Sequence, residues 1–250
     1  LSAARVAVFG LGGVGGHVVE SLARSGIGAL GVIDNDIFTE SNLNRQIFAN
    51  LFTLGMKKTD AAKERILSIN PDCKVLTFDM FYLPETEGQI NFSDFDYIVD
   101  AIDTVTAKIA IITRAKNEGI PVISCMGTGN KLNPSLLEVT DIYKTDTCPL
   151  ARIIRYELRQ RGVKDLKVVY SRETPIKAAD TNRNATNGVN ASGNSGGAGI
   201  SESMGGTSSS GDANSLRLPY KKPIPGSTAF VPGAAGLLIA SEVVRDILGI

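Results

Sequence analysis

Gly10, Gly12 and Gly15 stand at the spacing of a phosphate-binding turn, Gly-Leu-Gly-Gly-Val-Gly, between an apolar run and a helical pattern. Glycine at the first position permits a tight turn. At the second it lets the backbone approach a phosphate, and at the third it lets helix and strand pack closely. The following helix offers free N–H groups and the positive end of its dipole to an anion. Asp34, about 20 residues on, suits hydrogen bonding to ribose hydroxyls. Up to this point the pattern fits any nucleotide carrying a ribose, with NAD as the default.

The residues beyond Asp34 favour ATP. Asp36, then Ser41-Asn42-Leu43-Asn44-Arg45-Gln46, then Lys58 follow in order. A dehydrogenase has no need of arginine and lysine converging on phosphates. An enzyme that splits a triphosphate does, because negative charge builds on the departing pyrophosphate. Arginine brings a planar fork and lysine a point charge, so Arg45 and Lys58 together clamp several phosphate oxygens. Asp100 and Asp103 close a further apolar run, and one carboxylate there suits Mg²⁺ with water completing its shell. Each residue taken singly reads equally well as a surface charge or, for Asp103, a helix N-cap. Their placement at successive strand ends argues for a joint role.

The elements that must position these residues alternate. Arg5 to Gly10, Leu30 to Asp34, Val75 to Asp79, Tyr97 to Asp103 and Pro121 to Cys125 read as strands. Between them, Val14, Val18 and Leu22 recur at helical spacing, and Lys57 to Ile69 and Thr104 to Glu118 are helical. This alternation predicts an α/β fold with a doubly wound, Rossmann-like parallel sheet and ligands at the strand C-terminal ends. After Gly127 the rhythm weakens into a mixed C-terminal extension. It has strands at Leu136 to Tyr143 and Lys167 to Ser171, and helices at Pro149 to Arg161 and about Ala234 to Leu248. Of the 38 residues from Ala178 to Ser215, 31 are Asn, Gly, Ser, Ala or Thr. Such a stretch cannot offset its ordering entropy, so it is expected to be a disordered insertion within a single domain spanning 1–250.

Composition narrows the chemistry further. Lys plus Arg equals Asp plus Glu at 26 each, so any basic surface is local. Cys73, Cys125 and Cys148 form no CxxC pair, which argues against a disulfide framework and a cysteine-rich zinc site, and fits a reducing setting, cytoplasmic or an organelle matrix. His17 is the sole histidine, which nearly excludes a histidine base or a histidine metal cluster; it reads as structural. The apolar run Ala234 to Ala240 is too short to span a bilayer, which takes about 20 residues. No signal peptide is visible.

Gly-x-Gly-Gly-x-Gly, Asp-x-Asp, Ser-Asn-Leu-Asn-Arg-Gln, Lys58 and Asp103 together resemble the ubiquitin-activating-enzyme superfamily, including bacterial enzymes that adenylate sulfur-carrier proteins. The resemblance implies phosphate contacts from Gly13, Asn42, Arg45 and Lys58, ribose binding by Asp34, and Mg²⁺ held by Asp103. Within that superfamily the second half is similar to the tRNA threonylcarbamoyladenosine dehydratases. The similarity lies in Ser124 to Pro134, Asp141 to Thr145, Cys148 to Arg152, Val168 to Ser171 and the Pro225-Gly226-Ser227 to Val231-Pro232 tail. It implies ATP-dependent ring closure through a carboxyl-adenylate. A homodimer and a sulfur-transfer partner are also implied. The superfamily's usual helix before the first strand, with an arginine reaching the partner's ATP, has no counterpart in this sequence.

From Ala151 to Lys177 there are eight Lys or Arg against three acids. Leu150, Ile153, Ile154 and Leu158 are expected to face the core and Arg152, Arg155 and Arg159 to face outward, as a surface for tRNA phosphates or simply a solvated basic face. Cys148, before Pro149 at a helix start, reads as an ordinary N-terminal residue more readily than as a thioester or persulfide carrier. The competing functional readings are a sulfur-carrier adenylyltransferase, an NAD-dependent dehydrogenase and a non-catalytic dimeric scaffold.

Overall fold

Val6, Ala7, Val8 and Phe9 have no exposed surface, as expected of a strand covered on both faces. They belong to β1 (Arg5–Phe9), the centre of the sheet in a computed structural model of the protein that describes residues 1–176 and 226–250. The chain continues through α1 (Gly15–Arg24), β2 (Ala29–Ile33), α2 (Lys58–Ile69), β3 (Lys74–Phe78), β4 (Tyr97–Asp100), α3 (Val105–Asn117) and β5 (Val122–Cys125). It ends with β6 (Leu137–Asp141), α4 (Pro149–Gln160), β7 (Lys167–Ser171) and α5 (Phe230–Leu248).

The strands form one seven-stranded sheet in the order β3-β2-β1-β4-β5-β7-β6. All neighbours are parallel except β6, which runs antiparallel to β7 along a five-residue register from Leu137↔Ser171 to Asp141↔Lys167. The order reverses between β1 and β4, and such a switch point opens a ligand crevice at the carboxyl ends of the strands. The doubly wound sheet and its mixed C-terminal edge are as the sequence predicts.

Alternation along β1 divides the core. Val6 and Val8 face a cluster with Val18 and Leu22 of α1, Ala62 and Ile66 of α2, and Ala235 and Ile239 of α5. Ala7 and Phe9 face another with Ile111 and Ile112 of α3 and Ile154 and Leu158 of α4. Tyr97, buried in β4, donates to Asp246 of α5 at 2.6 Å, and Lys167 of β7 bridges Glu242 and Asp246, so α5 is fastened to the sheet.

Two boundaries differ from expectation. β4 stops at Asp100 rather than Asp103, because the Ile102 N–H turns back onto the Asp100 carboxylate at 3.2 Å. α5 begins at Phe230, four residues before the predicted Ala234, since Pro232 and Gly233 are tolerated within its first turn.

The expected insertion at 178–215 lies outside the described residues. The described chain on either side of it meets at Asn130, which adopts φ 58°. Its carbonyl accepts from the Ile176 N–H at 2.7 Å, and its side-chain oxygen accepts from the Gly226 N–H at 2.5 Å. The described residues gather into one compact unit, and none of their helices is long and apolar enough to cross a membrane.

Candidate nucleotide site

The glycine turn lies where β1 gives way to α1. Gly10 has φ +88°, and a Cβ there would press on the Ala101 carbonyl oxygen at 2.9 Å. A Cβ on Gly15 would overlap the Gly10 carbonyl, so the third glycine is what lets α1 sit on the strand end. In front of Gly12 the space is open as far as Gln46 Nε2, and Gly13 faces the Arg45 stem and the Pro232 ring. The Val14 N-cap contributes no side-chain bond and the first turn of α1 carries no acid. The Gly16 N–H donates to the Gly12 carbonyl at 3.1 Å and the Leu11 N–H to Asp34, so the other N–H groups of the turn and the positive dipole end remain for an anion.

Asp34, just past β2, ties this turn in place. One carboxylate oxygen accepts from the Leu11 N–H at 2.7 Å, the other from the Asp36 N–H at 2.9 Å. Lys58 opens α2 and is only 6% exposed, with Nζ 2.8 Å from Asp36 and 3.8 Å from Asp34. The Asp36 side chain is 61% exposed. Lys58 is thus a buried cation whose nearest counterion faces solvent, an arrangement that a bound phosphate can enter.

The Ser41–Gln46 segment begins in a short helical turn capped by Thr39, and Asn42 Oδ1 accepts from the Thr39 N–H at 3.1 Å. This turn carries Arg45, whose guanidinium donates to the Ser41 carbonyl at 2.8 Å and to Asn44 Oδ1 at 3.0 Å. Among the described residues Arg45 is in no ion pair, so its charge is uncompensated beside Gly13. Asn44 Nδ2 in turn donates to the Ser227 carbonyl at 2.8 Å, which joins this segment to the start of α5.

The two acids after β4 separate in role. Asp100 has no exposed surface and pairs with the equally buried Lys108 of α3 at 2.8 Å. It also accepts from the Ser124 hydroxyl at 2.5 Å, while Lys108 Nζ donates to the Ile102 carbonyl at 2.9 Å. Asp103 is exposed in the loop above them, so of the two carboxylates only this one is open to a metal or a phosphate-bound ion.

Several contributors were given no role of their own in the sequence reading. Gln46 is buried beside Gly12 with its Oε1 unpaired. Lys108, read only as part of a helix, pins the loop that carries Asp103. Ser227 and Pro232 reach the site from the far end of the chain, and only their place in the tail motif pointed to them. His17 packs against Gly233 of α5, where burial pushes its pKa down against the opposing pull of Glu20. Lys131 is buried with its ammonium on the Ser171 carbonyl at 3.1 Å, and burial lowers its pKa. All three cysteines are buried and free; Cys148 caps α4.

Helix α4 corrects the expected basic face. Ala151, Ile154 and Leu158 are buried, whereas Ile153 is 45% exposed. Arg155 is not turned outward: its guanidinium donates to the Thr145 carbonyl at 2.7 Å and to the Thr145 hydroxyl. Packing against the Asp141–Thr145 turn recruits it as an internal brace. Arg152 and Arg159 are exposed as expected.

This chain is 37% identical over 97% of its length to the tRNA threonylcarbamoyladenosine dehydratase of Bacillus subtilis, covering 86% of that protein. The crystal structure of the Escherichia coli tRNA N6-threonylcarbamoyladenosine dehydratase in complex with AMP superposes with a TM-score of 0.78 at 28% identity, covering 99% of this chain and 87% of the other. The complex with ATP gives 0.77. Similarity to the adenylyltransferase and sulfurtransferase UBA4 of Candida glabrata is confined to 57% of this chain and 33% of that protein, at 34% identity. A family match runs along the whole sequence, residues 1–250, and the chain belongs to the ThiF family.

Proposed function

We propose that the protein uses ATP to dehydrate threonylcarbamoyladenosine in tRNA, closing its side chain into a ring through a carboxyl-adenylate. The observation that carries this reading is the extent of the likeness to the B. subtilis enzyme. It includes the second half, β6 to α5, as well as the nucleotide crevice shared more widely.

The substrate carboxylate attacks the α-phosphorus of ATP and pyrophosphate departs. A nitrogen of the same side chain then attacks the acyl carbon and AMP leaves, taking the carboxylate oxygen with it. The second step is intramolecular, so positioning supplies much of its rate, and neither step needs a protein nucleophile. Gly12, Gly13 and the free end of α1 seat phosphates, with Gly10 and Gly15 shaping the turn. Asp34 and Asp36 line the ribose side. Arg45, Lys58 and Asn42 stabilise the charge that grows on pyrophosphate. Asp103 would hold Mg²⁺ together with phosphate oxygens and water, an arrangement that needs no all-protein cage. Bound there, the ion would neutralise phosphate charge.

The reading includes a homodimer and a cytoplasmic setting. Leu51 and Phe52, close in sequence to Arg45, are 78% and 94% exposed, apolar surface of the kind a second copy covers. Arg152 and Arg159 serve as tRNA-phosphate contacts.

Mass spectrometry of nucleosides from threonylcarbamoyladenosine-containing tRNA tests the proposal. ATP, Mg²⁺ and the protein should convert the nucleoside to a product lighter by one water. Unaltered nucleoside, with ATP–pyrophosphate exchange triggered instead by the C-terminus of a ubiquitin-like carrier protein, would replace it with the carrier-activation reading.

A further inference from the structure

At about 100° per residue, Arg152, Tyr156 and Arg159 of α4 fall within roughly 60° of one another, with Ile153 at the edge of the arc. Ala151, Ile154 and Leu158 face the core on the opposite side. Tyr156 is 62% exposed at the centre of this outward arc. Among the described residues Arg152 and Arg159 are in no ion pair, and the Arg159 guanidinium lies 5.1 Å from the Tyr143 ring centroid. Glu157, the one acid of the helix, lies off the arc and is taken up by Arg161 at 2.6 Å. The face therefore shows an exposed phenol flanked along the helix by two guanidinium groups that are in no ion pair, with Ile153 to one side.

A merely solvated basic face would carry lysine, glutamate or glutamine where Tyr156 and Ile153 stand. Nor does a surface for duplex phosphates require an aromatic ring. RNA duplexes are held mainly through phosphate and 2′-hydroxyl contacts, whereas unpaired bases are splayed out and stacked on aromatic rings and arginine planes. The helix also starts in the right place. Its cap, Cys148, lies beside Gly127 just past β5, with Sγ 3.6 Å from where a Gly127 Cβ would stand. From there Tyr156 is about 12 Å along the helix, counted from the carboxyl edge of the sheet.

We propose that the Arg152–Tyr156–Arg159 face of α4 docks an unpaired loop of the tRNA, stacking a base on Tyr156 while the two arginines hold flanking phosphates. This rests on the tRNA reading above and adds the protein surface, with Tyr156 as the residue on which the base stacks.

The test compares binding of an RNA hairpin with an unpaired loop and a fully paired duplex of equal length to the whole protein. Wild type, Tyr156→Ala, Tyr156→Phe and Arg152→Ala are measured across a salt series. Tyr156→Ala should weaken hairpin binding on the order of tenfold, leave duplex binding unchanged, and be rescued by Tyr156→Phe. Arg152→Ala should weaken both RNAs and flatten the salt dependence. Wild-type hairpin affinity in Tyr156→Ala, or an equal loss for hairpin and duplex, would overturn the proposal. Hairpin selectivity in a protein that leaves the nucleoside unchanged would remove the dehydratase reading alone. Dehydration with Tyr156→Ala at wild-type KM for tRNA would remove the docking face alone.

Discussion

Two lysine–aspartate pairs stand at the carboxyl edge of the sheet, and they are built differently. Beyond β4, Asp100 and Lys108 are both wholly buried, 2.8 Å apart, with Ser124 and the Ile102 backbone completing their bonds. Beyond β2, Lys58 is equally close to Asp36, but Asp36 opens to solvent and the second carboxylate, Asp34, is already engaged by the Leu11 N–H. The first pair can only hold the Ala101–Asp103 loop. On the function proposed above, the second exchanges its carboxylate for a phosphate. Burial of the counterion, rather than the identity of the pair, would then separate scaffold from ligand site.

The largest expected effect breaks the sealed pair. Lys108→Met leaves Asp100 buried and uncompensated, which should lower unfolding stability by about 3–5 kcal/mol in chemical denaturation. Adding Asp100→Leu should recover most of the loss. Unchanged stability in the single variant would show that the pair does not hold the loop.

A smaller effect reads the dryness of the same region. Cys125 closes β5 beside this pair, and burial pushes its thiol from an ordinary 9.0 to about 12. The unfolded chain therefore loses this proton at lower pH than the folded one. Stability from this thiol is intact below pH 9.0 and falls as pH rises toward 12, by roughly 1 kcal/mol per pH unit. Comparing Cys125→Ala with wild type in alkaline denaturation should show the variant without that extra slope. Parallel curves would mean that water reaches the thiol.

Much of this was legible because it is local. The apolar runs ended by glycine or acid gave the parallel strands to within a few residues, and the glycine spacing located the turn. The nature of the two acids after β4 was not legible. Asp100 and Asp103 follow one apolar run, and only the fold shows that Lys108 and Ser124 claim the first. Arg155 looked like its helical neighbours until the Asp141–Thr145 turn folded against it. Gly233 and Gly236 lie inside α5, where His17 and Val14 of α1 leave no room for larger side chains, a packing demand that helical spacing does not carry. The Asn44–Ser227 bond joins residues 183 positions apart, a distance at which periodicity carries no information.

The most direct test of the difference between the two pairs is calorimetric titration of Mg·ATP into wild type and Lys58→Met, with folding stability measured alongside. ATP affinity should drop on the order of a hundredfold, as expected for loss of a charge-assisted phosphate contact, while the stability loss stays well below that of Lys108→Met, because Asp36 remains hydrated and Asp34 keeps the Leu11 and Asp36 N–H groups. Wild-type ATP affinity in the variant, or a stability loss as large as that of Lys108→Met, would contradict it, since Lys58 would then be scaffold as well.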